Sequence, residues 1–217
     1  MTRAGNRAVE AAREYHDRTT HSNASIRQSG HYLDWDTKPF LYKVYPDLPV
    51  TPLPREFPQP VGDTLEAVSA FQGAGGTLTL ETLVSLLFFT AGLTKKKTYP
   101  GGGEMHFRAA PSTGALYQTE VYIVSGDLPG LSAGVYHFCP GDFCLRRLRE
   151  GDFRSELSAA ALDGGIAASA ATVVLTGIYW RNTWKYQARA YRHLFWDSGT
   201  MLANLLAAAS AMGIPAR

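Results

Sequence analysis

Thr79 is followed by Leu80, Leu83, Val84, Leu87 and Ala91, apolar positions three or four residues apart, and then by Gly92. That spacing predicts an amphipathic helix with a threonine cap and a glycine stop. Val9, Ala12 and Tyr15–His16 predict a shorter helix over residues 6–20, ended by Thr/Ser/Asn breakers. A long helix is expected over Trp184–Met212, with Tyr191, Leu194, Phe195, Leu202, Leu205, Leu206, Ala209 and Met212 on one stripe. Asp152–Leu162 reads as one more helix. Strands are expected at Val121–Val124, in a hairpin of Val135–Phe138 with Phe143–Leu148, and as a β-branched central strand over Thr172–Trp180. Helices and antiparallel strands mix without an internal repeat, which predicts an α+β domain.

One stretch obeys neither period. Pro39, Pro46, Pro49, Pro52, Pro54, Pro58 and Pro60 forbid a helix between Leu33 and Pro60. Phe40, Leu41, Tyr42, Val44 and Tyr45 make the stretch too apolar for a free linker. It is expected to be an extended arm lying along a surface, its own or a partner's. The chain thus divides into a helical lead-in (1–32), a Pro-rich arm and linker (33–78) and a core (79–217). Gly213 suits a helix end, and Ile214 looks like the approach to a further strand, so the chain is expected to continue beyond Arg217.

Composition narrows the class. With 217 residues, 45% hydrophobic and 18% charged, the chain has the makeup of a globular domain with a full core. The net charge is +2, and the dense cluster Lys95–Lys97 sits in a Gly/Lys-rich loop, 94–104, read as solvated and not as a nucleic-acid site. Cys139 and Cys144 bracket a turn and read as a reduced pair. The start Met1–Arg7 is polar, and the apolar runs Leu83–Leu93 and Met201–Ile214 are too short or interrupted for a bilayer, so no membrane is expected and the place is cytoplasmic. The six histidines form no metal-ligand pattern, and no phosphate loop or serine-hydrolase elbow occurs.

Two segments carry candidate chemistry. In Arg108–Tyr117 the small residues at 109–110 and 112–115 let a backbone approach a flat ligand, Gly114 can take positive φ, and Arg108 is a candidate partner for a phosphate or a ring edge. A plain turn feeding the strand at 121–124 reads equally well. Trp184–Tyr186 with Arg189, Tyr191 and Arg192 is expected at the start of the long helix, where an anion is favoured and Lys185 and Tyr186 can exchange protons. A solvated lysine and a core tyrosine are the simpler reading there. Asp197, Thr200 and Asn204 share a face, with Asn204 expected to satisfy buried backbone.

Together these segments resemble the nitroreductase superfamily, specifically its SagB-type (SagB/ThcOx) dehydrogenases. RAAPSTGALYQTEVY, Arg108–Tyr122, is similar to R-x-x-P-S-x-G-A-L-Y-P-x-E-x-Y, with Gln118 where proline is usual. KYQARAYRHLFWDSGTMLANLLAAASAMG, Lys185–Gly213, resembles K-Y-x-x-R-x-Y-R…G…N-L-x-x-A-A-x-x-x-G. The resemblance implies an FMN-dependent α+β fold, a mainly antiparallel sheet packed between helices, dimeric or paired with a tandem sister domain. It implies oxidation of thiazoline or oxazoline rings of ribosomal peptides to azoles, with possible partners in a modification complex. Lys185 and Tyr186 would then be catalytic. Arg108, Pro111, Ser112, Thr113, Gly114, Ala115, Leu116, Arg189 and Arg192 would bind FMN. The family's R-x-S-x-R phosphate grip has only Arg55 to match it over 55–79. Two other readings therefore stay open: a flavin-free dimerisation or scaffold domain, and a general NAD(P)H-dependent nitroreductase.

Overall fold

The computed structural model describes residues 8–69, 75–101 and 103–217. The polar start Met1–Arg7, and with it the first two residues of the expected helix 6–20, lies outside the described residues, as do linker residues 70–74 and Gly102.

Five antiparallel strands form the main sheet among these residues, in the order β1-β6-β5-β4-β7. They are β1 (Val50–Pro52), β4 (Thr119–Ser125), β5 (Gly134–Cys139), β6 (Cys144–Glu150) and β7 (Ala171–Gly177). Alternation along β4 sorts its side chains: Val121 and Ile123 join the apolar core, whereas Gln118, Glu120 and Tyr122 face the other way. Against the apolar face lies α4 (Leu80–Ala91), capped by the Thr79 hydroxyl on the Thr82 amide. Leu83, Val84, Leu87 and Ala91 pack there on Val121, Ile123, Tyr136, Phe138 and Leu145. Met201 of α8 (Ala190–Ala211) closes the same core, and a smaller cluster joins Leu86 to Leu205, Ala208, Ala209 and Ile214.

The polar face is covered by the arm. Tyr45 and Lys43 meet the Tyr122 hydroxyl at 3.0 and 2.8 Å, the Tyr42 hydroxyl meets His106 Nδ1 at 2.5 Å, and β1 pairs with β6 from Val50↔Arg146 to Pro52↔Cys144. The surface the arm follows is thus its own. Further helices are α1 (Ala8–Thr19), α2 (Asn23–Gln28), α3 (Thr64–Ser69), α5 (Arg154–Ala161), α6 (Gly164–Ala168) and α7 (Tyr179–Tyr186).

The structure corrects several expectations. The 94–104 stretch is mostly a hairpin, β2 (Leu93–Thr98) with β3 (Glu104–Arg108); Lys96 pairs with Glu104 across it at 2.6 Å. β7 is the edge strand beside β4, not a central one, and ends at Gly177 because Ile178 turns into α7. After the Thr/Ser/Asn breakers that end α1 the lead-in forms a second helix, α2, because Ser22 and Ser25 cap each other's backbone. The long helix is two: α7 and α8 are parted by a 3-10 turn, Gln187–Arg189, with Gln187 at φ 49°. Finally, α8 buries Leu205 and Ala209 of the expected stripe, but its first half turns a different face inward. It buries Ala190, His193, Asp197, Met201, Leu205, Ala208 and Ala209, and leaves Tyr191, Phe195 and Leu202 exposed. Cys139 and Cys144 are opposed across β5 and β6, buried and unbonded.

Candidate functional site

Residues 111–116 leave β3 as a short shelf laid across α7 and α8. One carboxylate fixes it. Asp197, 5% exposed, accepts hydrogen bonds from Ser112 Oγ at 2.7 Å and from the Thr113 amide and hydroxyl at 3.1 and 2.8 Å. Ser112 Oγ in turn accepts from the Tyr117 amide at 2.9 Å. Gly114 then runs at φ 70° and Ala115 at φ 53°, and the left-handed run turns the backbone outward. Pro111 and Gly114 are exposed, and Ser112, Thr113 and Ala115 half-buried, while Leu116 points into the protein.

The two expected constellations meet at this shelf. A β-carbon at Gly114 would stand 2.7 Å from the Tyr186 hydroxyl, so only glycine admits the tyrosine there. The Lys185 ammonium lies 5.3 Å from the Tyr186 ring centre. Asn182 Nδ2 donates to the Thr113 carbonyl at 3.2 Å, and Asn182 Oδ1 meets His193 Nδ1 at 2.7 Å. The His193 ring stands edge-on to Tyr186, 4.7 Å between centres. Lys185 and Tyr186 occupy the C-terminal end of α7, not the start of a helix. The helix dipole there favours the lysine cation and not an anion, which reverses the expected electrostatics.

The arginines are placed elsewhere. Arg108 lies between Tyr117 and Tyr42, 4.4 and 5.3 Å from their ring centres, and its Nη2 donates to the Leu41 carbonyl at 2.9 Å. Burial pushes its pKa down, with Glu120 opposing. Its Nε has no protein partner and borders a cavity of about 10 Å³ lined also by Thr90, Ser112, Thr119 and Asp197. That is room for about one water, so this cavity does not admit a ring-sized ligand. Arg189 donates to the Thr19 carbonyl, and Arg192 to the His16 carbonyl at 2.6 Å and the Thr19 hydroxyl at 2.9 Å. Both guanidiniums therefore clasp the C-terminal turn of α1, whose carbonyls carry the negative end of its dipole.

Behind the shelf, Glu120 accepts from His137 Nε2 at 2.7 Å and from Arg181, all three at most 3% exposed. Burial pushes the Glu120 pKa up, but the His137 hydrogen bond and the Arg181 charge outweigh it and leave the carboxyl below its usual range. Arg181 Nη1 also donates to the Tyr117 carbonyl at 2.8 Å, tying this network to the shelf. Sequence reasoning named Asp197 only as sharing a face with Thr200 and Asn204, and missed Asn182 and His193 as parts of the site. Their signal was a polar residue at 193 and at 197 in phase with Met201 and Leu205 on an otherwise apolar helix. Asn204 does satisfy backbone, donating to the Phe89 carbonyl at 3.1 Å.

The half-exposed backbone of the shelf, with the Tyr186 hydroxyl on Gly114 and the Lys185 ammonium beside it, is of a kind that suits the edge of a flat ring such as a flavin's. For a phosphate the site is less suited: Arg108 is enclosed, and Arg189 and Arg192 are already bonded to α1. Among the described residues no group of three His, Cys, Asp or Glu could hold a metal, and no helix is long and apolar enough to cross a membrane.

The fold is an antiparallel sheet with α4 and α8 on its apolar face and a Pro-Ser-x-Gly shelf between β3 and β4. The chain belongs to the nitroreductase family, whose model matches residues 76–216. It is 30% identical over 138 residues to MJ1384 of Methanocaldococcus jannaschii, named as a nitroreductase, covering 63% of this chain and 66% of that one. It is 28% identical over 150 residues to the trifolitoxin-processing protein TfxB of Rhizobium leguminosarum bv. trifolii, covering 63% and 38%. A crystal structure from Anabaena variabilis, also named as a nitroreductase, superposes with a TM-score of 0.70 at 28% identity, over 89% of this chain and 37% of that one. The chain thus spans about two thirds of the first relative and well under half of the other two.

Proposed function

We propose that this chain is an FMN-dependent dehydrogenase unit of the SagB type, which oxidises thiazoline or oxazoline rings in peptides to azoles. The observation that carries the reading is the Tyr186 hydroxyl seated on the Gly114 backbone of the shelf with the Lys185 ammonium beside its ring. Likeness to a protein named for processing trifolitoxin agrees with a role in maturing another product.

Bound FMN would supply the hydride acceptor. Pro111 to Leu116 would hold its ring through backbone contacts, with Asp197 keeping their geometry fixed. Tyr186, assisted by Lys185, removes the substrate proton as the hydride leaves. The phosphate would need cations from a second copy or a sister domain, or Arg189 and Arg192 after α1 has released them; Arg108, enclosed by Tyr42 and Tyr117, would act from behind the shelf.

The test is a visible absorption spectrum of the purified protein with and without added FMN, followed by turnover of a thiazoline peptide and of a nitroaromatic. A flavin band, with thiazoline turnover that Tyr186→Phe abolishes at unchanged flavin content, is expected. A protein that binds no FMN overturns the reading in favour of a scaffold domain. Turnover of the nitroaromatic with NAD(P)H but not of the thiazoline moves it to a general reductase.

A further inference from the structure

We propose that Cys139 and Cys144 are a peroxide-oxidised pair that closes to a reversible disulfide at the mouth of the β5–β6 hairpin, with Tyr42 of the arm as the cover the oxidant has to pass. The inference stands apart from the flavin reading above and goes beyond it.

Strand register places the two thiols. Cys139 is the direct partner of Cys144 in the antiparallel pairing of β5 with β6, so both side chains stand on one face of the sheet. Tyr136, Phe138 and Leu145 fill the apolar core on the opposite face. The outer edge of β6 settles the spacing. The Leu53 amide donates to the Phe143 carbonyl at 3.4 Å, and the Arg147 amide to the Pro49 carbonyl at 3.0 Å. Peptide groups alternate along a strand, so Cys144, between those two, turns its own toward Cys139. Opposed residues of that kind have Cα atoms about 5.5 Å apart. A disulfide spans roughly 4.4–6.8 Å, so side-chain rotation alone can bring the sulfurs together. The sequence holds two cysteines in all, and each therefore has a single partner within the chain.

Both residues are 2% exposed, and the arm lies over their face. The Tyr42 ring stands 3.3 Å from where a β-carbon at Gly141 would sit, in the turn between the cysteines. Its hydroxyl is anchored on His106 Nδ1 at 2.5 Å. Tyr45 packs on His137, two residues before Cys139, with 5.2 Å between ring centres. Burial pushes the Cys144 thiol above its ordinary pKa, with Arg146 opposing, so the thiolate is scarce at neutral pH and closure is slow.

In the balanced reaction one thiolate attacks an oxygen of hydrogen peroxide, the O–O bond breaks, and the sulfur becomes a sulfenic acid. The second sulfur then attacks that sulfenic sulfur, the S–S bond forms and hydroxide leaves. The two thiol protons depart with the two peroxide oxygens as two waters, and the two electrons given up by the thiols have reduced the peroxide. A thiol reductant reverses the closure. Closed, the bridge fixes the turn on which Tyr42 rests.

Hydrogen peroxide added to the folded full chain, then alkylation of free thiols in denaturant and intact-mass measurement, tests this. Expected is a monomer two hydrogens lighter, with no thiol left to alkylate and both restored by dithiothreitol. Cys139→Ser and Cys144→Ser should each lose that change. Thiols that stay free, sulfurs that gain oxygen in place of the bridge, or a dimer joined through sulfur would overturn the pair. Tyr42→Ala is expected to speed closure severalfold, and an unchanged rate would overturn the cover. His106→Ala, which releases the Tyr42 hydroxyl alone, makes the same comparison where Tyr42→Ala does not fold.

Discussion

The hydroxyl of Tyr186 occupies the space that a side chain at Gly114 would fill, 2.7 Å from an ideal β-carbon. Two requirements coincide at that glycine, since its φ of 70° is also left-handed. Gly114→Ala is expected to cost about 1–2 kcal/mol from the backbone alone, plus the collision. Combining it with Tyr186→Phe should recover part of the loss, because the nearest atom is gone. Thermal melts of the two single variants and the double variant measure that coupling; strict additivity would mean the residues do not touch.

Asp197 holds three donors from two consecutive residues. Asp197→Asn replaces one accepting oxygen with a donor that faces other donors, and should cost about 2 kcal/mol. Urea denaturation gives the magnitude. Proteolysis at Leu116 and Tyr117 reports whether the shelf loosens ahead of the core.

Glu120 makes stability depend on acid. Its folded pKa lies below the usual 4.5, so its contribution is complete above 4.5 and fades as pH falls through the folded value. The unfolded chain binds the proton first, and stability drops with falling pH in that window. Glu120→Gln should flatten this limb in denaturation midpoints taken from pH 7 downward. Glu120→Ala, which leaves Arg181 buried without its partner, should cost about 3–5 kcal/mol.

Removing one arginine should free α1 with little effect on the rest. The helix buries only Thr19, and Arg192 holds the His16 carbonyl and the Thr19 hydroxyl. Arg192→Ala is expected to speed tryptic cleavage at Arg13 and Arg18 severalfold while the main melting transition moves by no more than a few degrees. Equal cleavage rates in both proteins would mean the clasp does not hold the helix.

Where side chains answer to one demand, the sequence was readable. α4 carries cap, apolar face and stop in order, and the structure has it from Leu80 to Ala91. α8 answers to two demands. The site claims its inner face for His193 and Asp197, so the hydrophobic count favoured Tyr191, Phe195 and Leu202, which are exposed. The break before α8 was hidden because Gln187 takes a positive φ that no glycine announces. Motif resemblance located the shelf and the Lys185-Tyr186 pair. The contacts joining them, through Asn182 and Asp197, depend on how α7 and α8 fold back, which no local pattern encodes.

The arm has a consequence for anyone who would shorten this protein. The family match begins at residue 76, which makes a cut there tempting. Such a cut would take away β1, leave β6 as a bare sheet edge open to pairing with another chain, and strip Tyr45 from its place against His137. The trimmed fragment should tend to aggregate, and a unit that keeps its sheet edge paired has to start before Pro49, not at the family boundary.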